Sequence, residues 1–107
     1  MLPKKNRVNK KEVDLIFKQG KFINSPNLTF KFITNLGKGR KISVIAPKNI
    51  AKLAVKRNLL RRLGYNVLQK HINRFPAGIS GVFVFKKYQE DGLIIENEIE
   101  KILSKIN

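Results

Sequence analysis

The chain has 107 residues with 42% apolar content, enough for one modest core and too apolar for wholesale disorder. It carries 23 Lys and Arg against 7 Asp and Glu, a net charge of +16, with no cysteine and one histidine. This excludes a disulfide framework, a thiolate nucleophile and a cysteine-rich zinc site, and calls for a polyanionic partner to offset self-repulsion.

In chain order, the start "MLPKKNRVNKK" is basic but lacks an apolar signal core. No apolar run approaches the roughly 18 residues of a spanning helix, so a cytoplasmic protein is expected. From charge alone, "KKNR" and "KK" within positions 4–11 read equally as a solvated tail or a nucleic-acid contact. Residues 10–19 form a short amphipathic helix, with Val13, Ile16 and Phe17 at i, i+3 and i+4 and Gly20 as its stop. "KFINS" reads as a short strand ending at Pro26. "LTFKFI" at 28–33 alternates, placing Leu28, Phe30 and Phe32 on one side and Thr29 and Lys31 on the other. A turn over 35–40 leads to "KISVIA", with Ile42, Val44 and Ala46 on one face and Pro47 as its end.

A long helix follows from about Lys52 to Phe75, its apolar stripe made by Leu53, Leu60, Leu63 and Val67. Gly64 costs that helix about 1 kcal/mol relative to alanine, and marks either close packing or a local weakness. Pro76-Ala77-Gly78 ends it; "GVFVF" at 81–85 is a buried strand. Asp91 caps a last helix, with Ile95, Ile99, Ile102 and Ile106 at helical spacing. The order is helix, two or three strands, long helix, strand, helix. That is a small α+β two-layer sandwich, a sheet with helices packed against it. The chain reads as a single RNA-binding domain over 1–107, with a basic N-terminal segment at 1–11 and an acidic C-terminal helix at about 91–106.

The charge is unevenly spread. Residues 1–89 hold 21 basic and 2 acidic residues and residues 90–107 hold 2 and 5, giving balances of +19 and −3. No acid occurs between Leu15 and Gln89, so Arg57, Arg61 and Arg62 on the long helix lack ion-pair partners there. Arg57, Arg61 and Tyr65 are spaced i, i+4, i+8, flanked by Asn58 and Arg62. Arginine forks grip phosphate and tyrosine stacks on bases; in a less one-sided protein a solvated helix face would be the better reading. Phe30, Phe32 and Phe17 are either core residues or stacking platforms, and Lys31 points away from the two strand aromatics.

A protein-only nuclease needs converging carboxylates. Glu12 and Asp14 diverge, and Glu96 and Glu100 read as an exposed helix face. With one histidine, His71, no histidine pair is available. The chain is therefore built to bind a polyanion rather than to cut one alone. A helix-turn-helix regulator is disfavoured because the strands at 28–33 and 41–46 leave no room for one beside the basic helix. A membrane-surface protein is disfavoured because the basic helix lacks an aromatic-rich apolar face.

Three stretches resemble the bacterial ribonuclease P protein subunit: "LPKKNRVNKKEVDLIFKQGK" at 2–21, "ISVIAPKNIAKLAVKRN" at 42–58, and its continuation "LLRRLGY". Leu59 stands where the family carries an arginine, Tyr65 where a basic residue is usual, Val13 where phenylalanine is usual, and Pro47 and Asn49 replace a serine and a lysine. The resemblance implies a fold shared with domains of a small-subunit ribosomal protein and elongation factor G. It implies a ribonucleoprotein endoribonuclease that removes the 5′ leader of precursor tRNA. Its catalyst is a large RNA working with Mg2+, and the protein holds no metal ligands or catalytic residues and does not cleave alone. The partners implied are the catalytic RNA and precursor tRNA, with no membrane and no protein partner. Contacts to the catalytic RNA fall on Lys48, Lys52, Lys56, Arg57, Asn58, Arg61 and Arg62. The leader cleft would take Val13, Phe17, Phe30, Lys31, Phe32 and Tyr65, and further RNA contacts Lys4, Lys5, Arg7, Lys10 and Lys11. The alternative is a structural RNA-binding protein of the ribosome with no processing role.

Overall fold

A computed structural model describes residues 4–34, 37 and 39–106; part of the turn expected over 35–40 lies outside them. After a 3-10 turn at Lys4–Asn6, the elements are α1 (Lys10–Gln19), β1 (Lys21–Asn24), β2 (Leu28–Ile33), β3 (Lys41–Ile45), α2 (Ala54–His71), β4 (Ser80–Phe85) and α3 (Gly92–Ile106). The strands form one sheet in the order β1-β2-β4-β3, with β3 and β4 parallel and the other pairs antiparallel. The α+β sandwich expected from the sequence is the fold. No helix among the described residues is long and apolar enough to cross a membrane.

Alternation decides what each face of the sheet does. Leu28, Phe30 and Phe32 oppose Phe85, Phe83 and Gly81, and Ile42 and Val44 continue the same face across β3. These residues are buried with Leu60, Val67 and Leu68 of α2 and Ile95, Ile99 and Ile102 of α3. Phe30 stacks on Phe83 and Phe32, with ring centroids 4.2 and 5.2 Å apart. On the other face α1 packs against β2 and β4, where Ile16 and Val82 are fully buried, and the N-terminal segment lies on β3 through Val8 and Ser43. The row through Ile45, Val84 and Thr29 is left partly open.

Local chemistry sets the helix ends. Asn9 accepts the Glu12 N–H at 2.9 Å and Glu12 Oε1 accepts the Asn9 N–H at 3.2 Å, a reciprocal cap that starts α1. Asp91 Oδ1 accepts the Leu93 N–H at 3.0 Å and starts α3. Helix α2 begins two residues later than expected. Leu53 is its 65% exposed N-cap rather than part of the apolar stripe, because the preceding loop folds onto Pro47. A 3-10 turn at Ile72–Arg74 completes the helical stretch.

Gly64 marks close packing: a Cβ there would lie 2.9 Å from Val44 Cγ1, so α2 rests directly on β3. Gly64→Ala is expected to lower urea stability by about 1–2 kcal/mol, because overpacking outweighs the gain in helix propensity. A stability equal to or above the parent would show that α2 can ride up from the sheet without loss.

The acids of α3 are not a free face. Glu96 accepts Nε2–H of His71 at 2.8 Å, and Arg74 reaches both His71 Nδ1 at 3.0 Å and Glu100 at 3.4 Å. Arg74 can only donate, so Nδ1 accepts from it while Nε2 faces Glu96. These partners lie 25 or more residues away in sequence, and they convert an expected solvent face into a seam between α2 and α3.

Glu98, buried at 6% exposure, takes the Ser25 hydroxyl, the Asn27 N–H at 2.8 Å and Asn27 Nδ2 at 2.5 Å, fixing the β1–β2 turn. Burial pushes its carboxyl up, but these hydrogen bonds outweigh burial and hold the pKa below the usual glutamate value of 4.5. A pKa lower in the folded than in the unfolded state contributes stability that is present above the unfolded value and lost as pH falls through the folded one. Glu98→Gln is therefore expected to be clearly less stable than the parent at neutral pH, with the gap closing in acid. A gap independent of pH in urea titrations would contradict the charged role.

Candidate nucleic-acid interface

Two surfaces collect the basic and aromatic side chains. The first is a groove along the free edge of β3, between the N-terminal segment and α2. The segment is tied down by Asn6 Nδ2 to the Arg40 carbonyl at 3.0 Å and by the Val8 N–H to Ser43 Oγ at 2.8 Å. The edge N–H of Val44 is taken by the Tyr65 hydroxyl at 3.2 Å. Three adjoining hollows of about 300, 240 and 400 Å³ follow this edge, lined in turn by Arg57, Asn58 and Arg61, by Arg7, Arg61 and Arg62, and by Arg7, Asn9 and Tyr65.

Arginine chemistry differs along the groove. Arg57 donates Nη1 to the carbonyls of Ala51 and Lys52 at 3.0 and 2.8 Å, so it braces the loop entering α2 while half-exposed. Arg61 donates to the Asn58 side chain and, like Arg62, is exposed. The Arg7 guanidinium lies 5.8 Å from the Tyr65 ring centroid, and its buried Nε has no hydrogen-bond partner among the described residues. A phosphate oxygen would satisfy such a donor. Lys48 and Lys52 are exposed on the loop before α2. Lys56 sits 5.8 Å from the ring of Tyr88, turned toward the start of α3 rather than the groove. Lys5, Lys10 and Lys11 are exposed at the N-terminal end; Lys4 opens the first 3-10 turn.

The second surface is the uncovered part of the sheet beside α1. Register places Ile45, Val84, Thr29 and Asn24 in one row across all four strands, from the arginine groove to the β1 edge. Val13 is half-buried and Phe17 is 47% exposed on α1 beside this floor. Lys31 places its ammonium 4.6 Å from the Phe17 ring centroid. Phe30 and Phe32, expected here, lie in the core instead, 0% and 8% exposed, because strand alternation turns them toward α2 and α3. Tyr65 is also absent from this cleft. Only 6% exposed, it is committed to the Val44 N–H at the β3 edge. Nothing in the sequence marks Ile45, Thr29 and Val84 as the floor of a cleft, since alternation alone does not tell which face a helix leaves open.

Among the described residues no three His, Asp or Glu side chains gather to hold a metal ion. Glu12 and Asp91 cap helices and Glu96, Glu98 and Glu100 hold seams, Glu12 also pairing with Lys41 at 3.5 Å.

Fold and surface together define a cationic α+β nucleic-acid-binding protein. The family model for ribonuclease P matches residues 2–107, and the chain belongs to that family. Among solved structures, the ribonuclease P protein of Thermotoga maritima is similar, with a TM-score of 0.83 at 19% identity over 94% of this chain and 97% of the other. Two structures of the Staphylococcus aureus protein give TM-scores of 0.81 and 0.76 at 17% and 21% identity, covering 95% and 100% of this chain and 98% and 96% of theirs. At these identities the matches establish the fold. Comparison with curated protein sequences returns no match.

Proposed function

We propose that the chain is the protein subunit of ribonuclease P, binding the catalytic RNA along the β3–α2 groove and the 5′ leader of precursor tRNA in the cleft beside α1. The observation that carries this reading is the family match over residues 2–107, on a chain whose arginine groove and α1 cleft adjoin through Ile45 and Val84. Arg61, Arg62 and Arg7 grip RNA phosphates in the groove, and Lys48 and Lys52 add charge at its end. In the cleft a leader base stacks on Phe17, with Val13 beside it, while Lys31 meets the adjoining phosphate. The cations screen the repulsion between two RNAs. Magnesium chemistry and bond cleavage belong to the RNA on this reading; the protein acts by positioning, in the cytoplasm where precursor tRNA is processed. Nothing in the fold or the comparisons favours the ribosomal alternative.

The test is purification of the chain from its own cells at moderate salt, followed by sequencing of the RNA that accompanies it. Enrichment of one long structured RNA together with tRNA precursors is expected. Enrichment of ribosomal RNA alone would contradict the assignment.

A further inference from the structure

Phe22, on the edge strand β1, is 64% exposed, the most exposed aromatic side chain among the described residues. An edge strand is better protected by a charge, and an isolated exposed phenyl ring contributes little to this four-residue element. Its position gives it another use. Phe22 opposes Lys31 across the β1–β2 pair, on the face that also carries Thr29's row, and directly opposed residues hold their Cβ atoms about 5 Å apart. The Lys31 ammonium in turn lies 4.6 Å from the Phe17 ring centroid. Helix α1, β2 and β1 thus present aromatic, cation and aromatic in succession. The array stands where the floor of the cleft runs out at Asn24, at the end far from the α2 arginines.

We propose that Phe22 is a second stacking platform for single-stranded RNA, and that it receives a leader nucleotide farther from the cleavage point than the one on Phe17. Lys31 holds the phosphate between the two. This rests on the leader-cleft reading above. The order follows from the layout: the α2 groove holds the catalytic RNA, so the leader enters the cleft from that side and reaches β1 last. The occupant is a nucleic acid strand rather than a protein, because rings alternating with an ammonium in a +16 chain complement bases alternating with phosphates.

The test uses the chain reconstituted with its catalytic RNA, with dissociation constants measured for mature tRNA and for precursors of increasing leader length. Phe22→Ala is expected to match the parent on mature tRNA and on the shortest leaders and to lose about tenfold on long ones. Phe22→Trp is expected to keep the parental affinity. Because the ring is exposed, its removal is expected to leave the melting temperature nearly unchanged. If the parent prefers long leaders and Phe22→Ala shares that preference in full, the Phe22 platform is wrong while the cleft stands. Equal losses on mature tRNA, or a change in self-association without any change in leader dependence, also overturn it. If the parent itself does not distinguish precursor from mature tRNA, the leader-cleft reading fails, and the platform with it.

Discussion

Replacing Arg61 and Arg62 together by alanine is expected to weaken binding to the catalytic RNA on the order of a hundredfold at moderate salt. The slope of log affinity against log salt should fall by about 1–2, since each phosphate contact releases about one counterion. The reasons are local. Both side chains are exposed on α2 and line the hollow next to Arg7, and Arg61 donates to Asn58, three residues back on the same helix. Removing them uncovers no core, so folding stability should change by no more than about 0.5 kcal/mol. Arg57→Ala is the less clean experiment. Its Nη1 closes the loop carbonyls of Ala51 and Lys52, and its loss would combine weaker RNA binding with a loosened entry to α2. Titrations across a salt series, paired with thermal melts, separate the two effects. An Arg61/Arg62 variant with parental affinity and slope would remove the groove from the interface.

Phe17→Ala is expected to lower the affinity of the reconstituted enzyme for leader-bearing precursor tRNA by about tenfold and to leave mature tRNA unaffected. Phe17 is 47% exposed on α1, while the buried Ile16 next to it carries the packing of that helix onto the sheet. Truncating the ring therefore removes a surface for a base and the partner of Lys31, but little of the fold. Equal losses for precursor and mature tRNA would mean that α1 serves the catalytic RNA or the tRNA body rather than the leader.

Local signals in the sequence were sufficient for the end of α1 and the start of α3, though not for the start of α2. Helix α1 ends where Gly20 stops it, and α3 starts after Asp91, because caps and stops act within a turn. The Asn9–Glu12 box is equally local, an Asn-x-x-Glu spacing. Faces were harder. The alternation in "LTFKFI" separates Phe30 and Phe32 from Lys31, but which side becomes core depends on α2 and α3, whose core residues from Leu60 onward are distant in sequence. The same limit hid Tyr65. An aromatic on a basic helix looks available for stacking until the unpaired N–H of Val44 at the β3 edge claims its hydroxyl. It also hid the work of Glu96, Glu98 and Glu100, whose partners at His71, at Ser25 with Asn27, and at Arg74 are distant in sequence. The charge imbalance was the strongest signal. It survives in the structure because most of the acids are spent on caps and seams, leaving the arginines of α2 to face outward.

The most direct measurement is cleavage of precursor tRNA by the catalytic RNA alone, by the chain alone, and by the two together, at magnesium concentrations too low for the RNA to work well by itself. The account predicts no cleavage by the chain alone and faster release of the 5′ leader when both are present, with the gain lost on substrates whose leader is cut back. Cleavage by the chain without RNA, or an RNA rate unchanged by the chain at every magnesium concentration, would contradict it.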